Sequence, residues 1–138
     1  MTIERLATCA CGQLKLRLAG DPVMVSSCHC LACQRRTGSL FGVQAFFRQE
    51  QVAAVEGEHR TFSRQADSGN TVTHEFCPAC GTTLYWVRPS LPGMVTVAVG
   101  AFADPKFPPA VRTVWTESQH DWLPFPETLP HHRQAPPE

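Results

Sequence analysis

Leu14, Leu16 and Leu18 alternate with Gln13, Lys15 and Arg17 across residues 13–18, the period-two pattern of a strand with one face buried. Short runs of the same kind recur at 23–27, 41–47, 52–57, 71–76, 82–87, 94–100 and 110–115. Together they predict eight strands and an all-β chain. Prolines and glycines fall largely between the runs, at Gly20-Asp21-Pro22, Pro89, Pro92-Gly93 and Pro108-Pro109, where turns belong. This spacing suits two packed antiparallel sheets. One stretch, 31–38, has the form of a helical turn, with Gly38 placed to end it in a left-handed conformation.

The 138 residues fit one domain with a real core, expected over residues 1–130. The polar, Pro-rich HHRQAPPE at 131–138 reads as a flexible tail. Twelve Lys plus Arg balance twelve Asp plus Glu, so no net field draws the chain to nucleic acid or to an anionic membrane. No window approaches the roughly 18 apolar residues of a membrane span, and the N-terminus lacks a run of signal-peptide length. The expectation is a soluble, cytoplasmic protein without a nucleic-acid or membrane partner.

Cysteine changes this picture from a plain β domain to a metalloprotein. There are seven, an odd number, in a chain that reads as reduced. They fall in three clusters: Cys9 and Cys11 as C-x-C, Cys28, Cys30 and Cys33 as C-x-C-x-x-C, and Cys77 and Cys80 as C-x-x-C. The segment FCPACG has the form of a zinc knuckle, with two thiolates around a tight turn that Pro78 and Gly81 help to set. A redox C-x-x-C belongs near a βαβ pattern, and the runs show none. Cys77 and Cys80 need two further ligands, which Cys9 and Cys11 can supply. The resulting four-thiolate zinc would tie the first strand to the hairpin that begins at Cys77 and so hold the fold together.

Cys28, Cys30 and Cys33 are close enough to chelate one ion as a local set, a second zinc with three protein ligands. In an extended segment His29 points away from Cys28 and Cys30, which disfavours it as a fourth ligand. His59, His74 and His120 remain alternatives from elsewhere in the chain. The preferred reading is an open coordination position, as catalytic zinc is usually held.

C-A-C-G at 9–12, C-H-C-L-A-C-Q-R-R-T-G-S at 28–39, F-C-P-A-C-G at 76–81 and the late Trp115 together resemble the family of glutathione-dependent formaldehyde-activating enzymes, also called the centromere-protein-V-like family. The resemblance implies a β-tent fold of packed antiparallel sheets. It also implies a structural zinc on the first and last clusters and a second zinc on the middle triad. The activity it implies joins formaldehyde to glutathione as S-(hydroxymethyl)glutathione, a carbon-sulfur lyase reaction. Gln34 stands where many relatives place Arg, a departure that Arg35 and Arg36 would offset on this resemblance.

On that reading Cys28, Cys30 and Cys33 form the catalytic centre, where the metal favours a thiolate that attacks an electrophilic carbon. Arg35 or Arg36 would hold a glutathione carboxylate, and Ser39 and Thr37 would add hydrogen bonds. The competing role for the arginines is to offset the charge of a thiolate-rich centre. Phe41, Phe46, Phe47, Tyr85 and Trp86 are candidates either for walls of the site or for the core. Two other functions compete with the enzyme: a zinc-binding interaction module, and a redox-responsive zinc protein whose triad releases metal on oxidation.

Overall fold

The structure, a computed structural model, describes residues 2–66 and 68–136. It contains ten strands: β1 Glu4–Thr8, β2 Lys15–Ala19, β3 Met24–Cys28, β4 Gly42–Arg48, β5 Val52–Glu56, β6 Arg60–Gln65, β7 Thr71–Phe76, β8 Thr83–Val87, β9 Met94–Ala98 and β10 Thr113–Val114. One helix, α1, spans Leu31–Thr37. A three-stranded sheet in the order β1-β2-β5 packs on a seven-stranded sheet in the order β10-β3-β4-β9-β8-β7-β6. The chain is therefore mostly strand in packed sheets, as the alternation implies. Among these ten strands all pairings are antiparallel except that of β10 with β3.

The core lies between the sheets. Leu16 and Leu18 of β2 are fully buried there beside Ala45 and Phe47 of β4, Leu84 of β8, and Val95 and Val97 of β9. Arg17, on the opposite face of β2, bridges Glu4 at 3.2 Å and Glu56 at 3.1 Å across both neighbouring strands. Apolar positions thus face the core and the polar positions between them cross-link the outer surface.

The larger sheet also buries its second face. In β4, Ala45 and Phe47 join the core, whereas Gln44 and Phe46 point to the other side and line a cavity that holds the cysteine triad. This double burial is why 41–47 reads as nearly continuous apolar sequence. Met24, Ser26 and Cys28 share one parity on β3, and Met24 and Cys28 line clefts on that same second face.

Two strands lie outside the runs found in the sequence. β6 is exposed almost throughout, so no apolar alternation marks it; it is held by main-chain pairing to β7 and by polar pairs such as Ser63–Thr73 at 3.1 Å. β1 buries only Ala7 fully. The segment expected as a flexible tail from 131 instead pairs with β10. Thr113 N–H donates to the Pro130 carbonyl and His132 N–H to the Thr113 carbonyl, both at 2.9 Å, and Thr116 N–H donates to the His132 carbonyl at 3.1 Å. The main chain of a polar, Pro-rich segment can join a ladder without any side-chain signal. Residues 137 and 138 of that tail lie outside the described residues.

Candidate metal and thiol site

Two cysteine groups come together in space, and they are the two that the spacing separates. In the first, the turn after β1 carries Cys9 and Cys11, and the turn between β7 and β8 carries Cys77 and Cys80; all four sulfurs lie within 4.8 Å of one another. The Cys11 sulfur is 3.6 Å from that of Cys9 and 3.7 Å from that of Cys77. Sulfurs held tetrahedrally at about 2.3 Å from one zinc ion stand about 3.8 Å apart, so the donor set fits such an ion.

N–H groups surround these sulfurs. Leu14 N–H donates to Cys9 Sγ at 3.3 Å, Ala79 N–H to Cys77 Sγ at 3.4 Å, and the Gln13 amide to Cys77 Sγ at 3.0 Å. Such donors favour the thiolate form that a metal needs. The Thr82 hydroxyl, 3.2 Å from Cys80 Sγ, is the leading cause that brings the Cys80 thiol down to about 5. Gly81, at φ 81°, closes the knuckle by donating to the Cys77 carbonyl at 2.8 Å. Gln13 escapes a reading of cysteine spacing because it reaches Cys77 across 64 residues.

The second group is Cys28 at the end of β3, Cys30 at the N-cap of α1 and Cys33 inside α1, all buried and again within 4.8 Å. The helix forms where expected. Cys30 Sγ caps it by accepting the Cys33 N–H at 3.3 Å, and Gly38, at φ 68°, ends it by donating to the Gln34 carbonyl at 2.8 Å. One thiol thus serves as both cap and candidate ligand. Hydrogen bonds from Cys28 first, then from Cys33, hold the Cys30 thiol down at about 2, while the same cluster raises Cys28.

No fourth side-chain ligand joins this triad among the described residues. His29 is fully buried on the other side, 4.8 Å from the Phe125 ring and 5.6 Å from Phe41. His59 lies 3.8 Å from Glu75, and His120 pairs with Gln34 at 3.2 Å. His74 does line the triad cavity, but it packs edge-on against Trp86 at 5.4 Å and is absent from the ligand group. Gln34 is a brace: its amide donates to the carbonyls of His29 at 2.9 Å and Ser118 at 3.0 Å, tying α1 to the turn after β10.

The triad cavity encloses about 100 Å³. Phe46 and Trp86 wall it, whereas Phe47 belongs to the core between the sheets, Tyr85 packs against that core and Phe41 packs on His29. Arg36 enters it with its guanidinium 4.4 Å over the Trp86 ring, and its Nη2 is buried without a hydrogen-bond partner. Arg35 lies instead in an adjoining cleft that shares Arg36, Arg64 and His74 with the cavity. Ser39 lines other clefts, and Thr37 turns back to the Cys33 carbonyl at 2.9 Å, so neither hydroxyl faces the triad. Arg64, Arg88 and Arg112 also reach the cavity. They come from three separate strands or loops, and no local spacing marks them.

The family model described as "Glutathione-dependent formaldehyde-activating enzyme" matches residues 4–118. A crystal structure of a Rhodobacter sphaeroides protein has a similar fold, with a TM-score of 0.55 and 24% identity over 73% of this chain and 92% of that one. No curated protein matches the chain. Among the described residues no helix is long and apolar enough to cross a membrane.

Proposed function

Because the chain belongs to the family of glutathione-dependent formaldehyde-activating enzymes, we propose that Cys28, Cys30 and Cys33 hold a catalytic zinc at which a thiol adds to formaldehyde or a related small carbonyl compound. Cys9, Cys11, Cys77 and Cys80 hold a second zinc with a structural role. The observation that carries this reading is the triad itself: three buried sulfurs facing a cavity, without a fourth protein ligand among the described residues. Zinc bound by three thiolates supplies Lewis acidity and favours the thiolate form of an incoming thiol.

The chain's own groups bind, orient and exclude water. Phe46, Trp86 and Val114 wall the cavity and remove competing water from the reacting sulfur. Arg36, held over the Trp86 ring with Nη2 unpartnered, is placed to take a carboxylate of glutathione, and Arg35 in the adjoining cleft extends the same positive charge. In the reaction the thiol sulfur gives an electron pair to the carbonyl carbon, the carbon–sulfur bond forms as the carbonyl π bond opens, and the proton released by the thiol ends on the oxygen. The reverse step is carbon–sulfur cleavage, the lyase direction. We place this chemistry in a single domain that includes the 130–134 segment, and in the cytoplasm, where glutathione is plentiful.

Exchange NMR on the zinc-loaded protein with glutathione and ¹³C-formaldehyde tests the reading. Hemithioacetal exchange faster than in buffer is expected, with the acceleration lost in Cys30→Ser. Exchange no faster than the spontaneous reaction overturns it. Arg36→Ala is expected to weaken glutathione binding by roughly 1.5 to 3 kcal/mol, the scale of a hydrogen bond to a charged group, and to leave 2-mercaptoethanol unaffected. Equal losses for both thiols would reassign Arg36 to support of the metal loop.

A further inference from the structure

The triad cavity, at about 100 Å³, is smaller than an apolar cavity of roughly 150 Å³ that holds benzene. It does not end there. Phe46, Arg88, Arg112 and the Ala135-Pro136 segment also line a second cleft of about 400 Å³, whose other walls include Val23, Leu91 and Met94. Formaldehyde would leave this cleft unused.

Charge at the junction is in excess of what the triad needs. Arg36, Arg64, Arg88 and Arg112 line the cavity, and no aspartate or glutamate among the described residues does so. A divalent ion on three thiolates carries a single negative charge, too little to account for Arg36, Arg64 and Arg112 together as counter-ions. Arg112 is the clearest case. Its Nε donates to Ser26 Oγ at 3.3 Å, no carboxylate among the described residues forms an ion pair with it, and burial followed by the neighbouring Arg88 charge lowers its pKa. An anion at this junction would meet both a cation and an apolar wall.

We propose that this cleft binds the electrophile, and that the electrophile is an oxo acid with an apolar chain: its carboxylate on Arg112, its chain along Leu91, Met94 and Val23, and its carbonyl turned to the triad. The proposal rests on the thiol-addition reading above and names the second substrate's class within it. The step balances as before. The thiol sulfur bonds to the carbonyl carbon, the carbonyl π pair moves to oxygen, and that oxygen takes the thiol's proton, with no oxidant or reductant. Ala135 and Pro136, which close one side of the cleft, lie beyond the residues 4–118 that match the family.

Titration calorimetry on the zinc-loaded protein, with unreactive probes, decides the matter. 4-Methylpentanoate is expected to bind saturably, and the isosteric alcohol 4-methyl-1-pentanol at least tenfold more weakly. Arg112→Gln should weaken the carboxylate tenfold or more. Leu91→Asp, at a partly exposed wall position, should do the same without burdening the fold. Equal affinity for acid and alcohol, or unchanged carboxylate binding in both variants, overturns the proposal. Glutathione is titrated in parallel: binding of glutathione without binding of the carboxylate defeats the electrophile site alone. Binding of the carboxylate without any thiol defeats the thiol-addition reading and leaves the cleft as a carboxylate site.

Discussion

Gly42 leaves the space that the Arg36 guanidinium fills: a Cβ at position 42 would stand 2.6 Å from Arg36 Nη2. Gly42 lies at the start of β4, opposite Cys28, so the hydrogen in place of a side chain joins a sheet position to the stacking of Arg36 on Trp86. The obstructing atom is the end of a flexible side chain. Gly42→Ala should therefore fold at a cost below about 1 kcal/mol while pushing Arg36 off the indole. Glutathione affinity is expected to fall about tenfold, the loss of one charge-assisted contact, with zinc content unchanged. Thermal melts with glutathione titration check it; unchanged affinity would mean that Arg36 does not read the thiol.

The two cysteine groups should fail differently. Cys77 is fully buried and joins the turn between β7 and β8 to the turn after β1, whereas Cys30 sits on a loop and a short helix beside the sheet. Cys77→Ser is expected to give insoluble or non-cooperatively melting protein, because folding and metal binding there are one event. Cys30→Ser should keep the fold and lose one metal ion per chain, read by metal analysis of the purified proteins. Comparable unfolding by both variants would abolish the division into a structural and a functional centre.

Local spacing made the candidate ligand sets legible, since thiols two or three residues apart have few ways to avoid one another once the turn forms. It also made α1 legible, because Gly38 marks its end; its start at Cys30, a thiol acting as cap, carried no such mark. What the sequence hid depends on contacts distant in the chain. Arg64, Arg88 and Arg112 meet only when β6, the loop after β8 and the residue before β10 converge. β6 and the 130–134 segment carry no apolar period because their stabilisation is main-chain pairing. Gln13 looks like any outward polar position of an amphipathic strand until it is seen on Cys77 Sγ.

That last contact has a weak point at Gly57. The residue has φ 97°, and an added Cβ would collide with the Gln13 carbonyl oxygen, which is backbone and cannot swing away. Gln13 meanwhile binds residue 58 from both ends of its amide, donating to the Glu58 carbonyl at 2.7 Å and accepting the Glu58 N–H at 2.9 Å. Gly57→Ala must distort this clamp as well as adopt a left-handed backbone. A loss of about 2 kcal/mol or more is expected in urea unfolding of the zinc-loaded protein. Because Gln13 also donates to Cys77 Sγ, zinc should leave the four-cysteine site faster to a chelator. Loss of stability with an unchanged release rate would separate the clamp from the metal.

His74 sets the response to acid. It is buried on β7 against Trp86, with the guanidiniums of Arg64 and Arg36 nearby, and burial first, then those charges, hold its pKa down at about 4. The same imidazole in the unfolded chain titrates near 6.5. Between those values the unfolded chain binds a proton that the folded protein does not, so stability falls as pH drops from about 6.5 towards 4. Above 6.5 both states are neutral and the group contributes no slope. His74→Gln removes the titration. Its unfolding free energy should therefore decline less steeply over that window, by about 3 kcal/mol in total relative to wild type. Both proteins are measured with saturating zinc, so that protonation of the thiolates, common to the two, cancels in the difference. Parallel curves from pH 6.5 to 4 would show that His74 titrates normally and that the cavity around it is wetter than its packing implies.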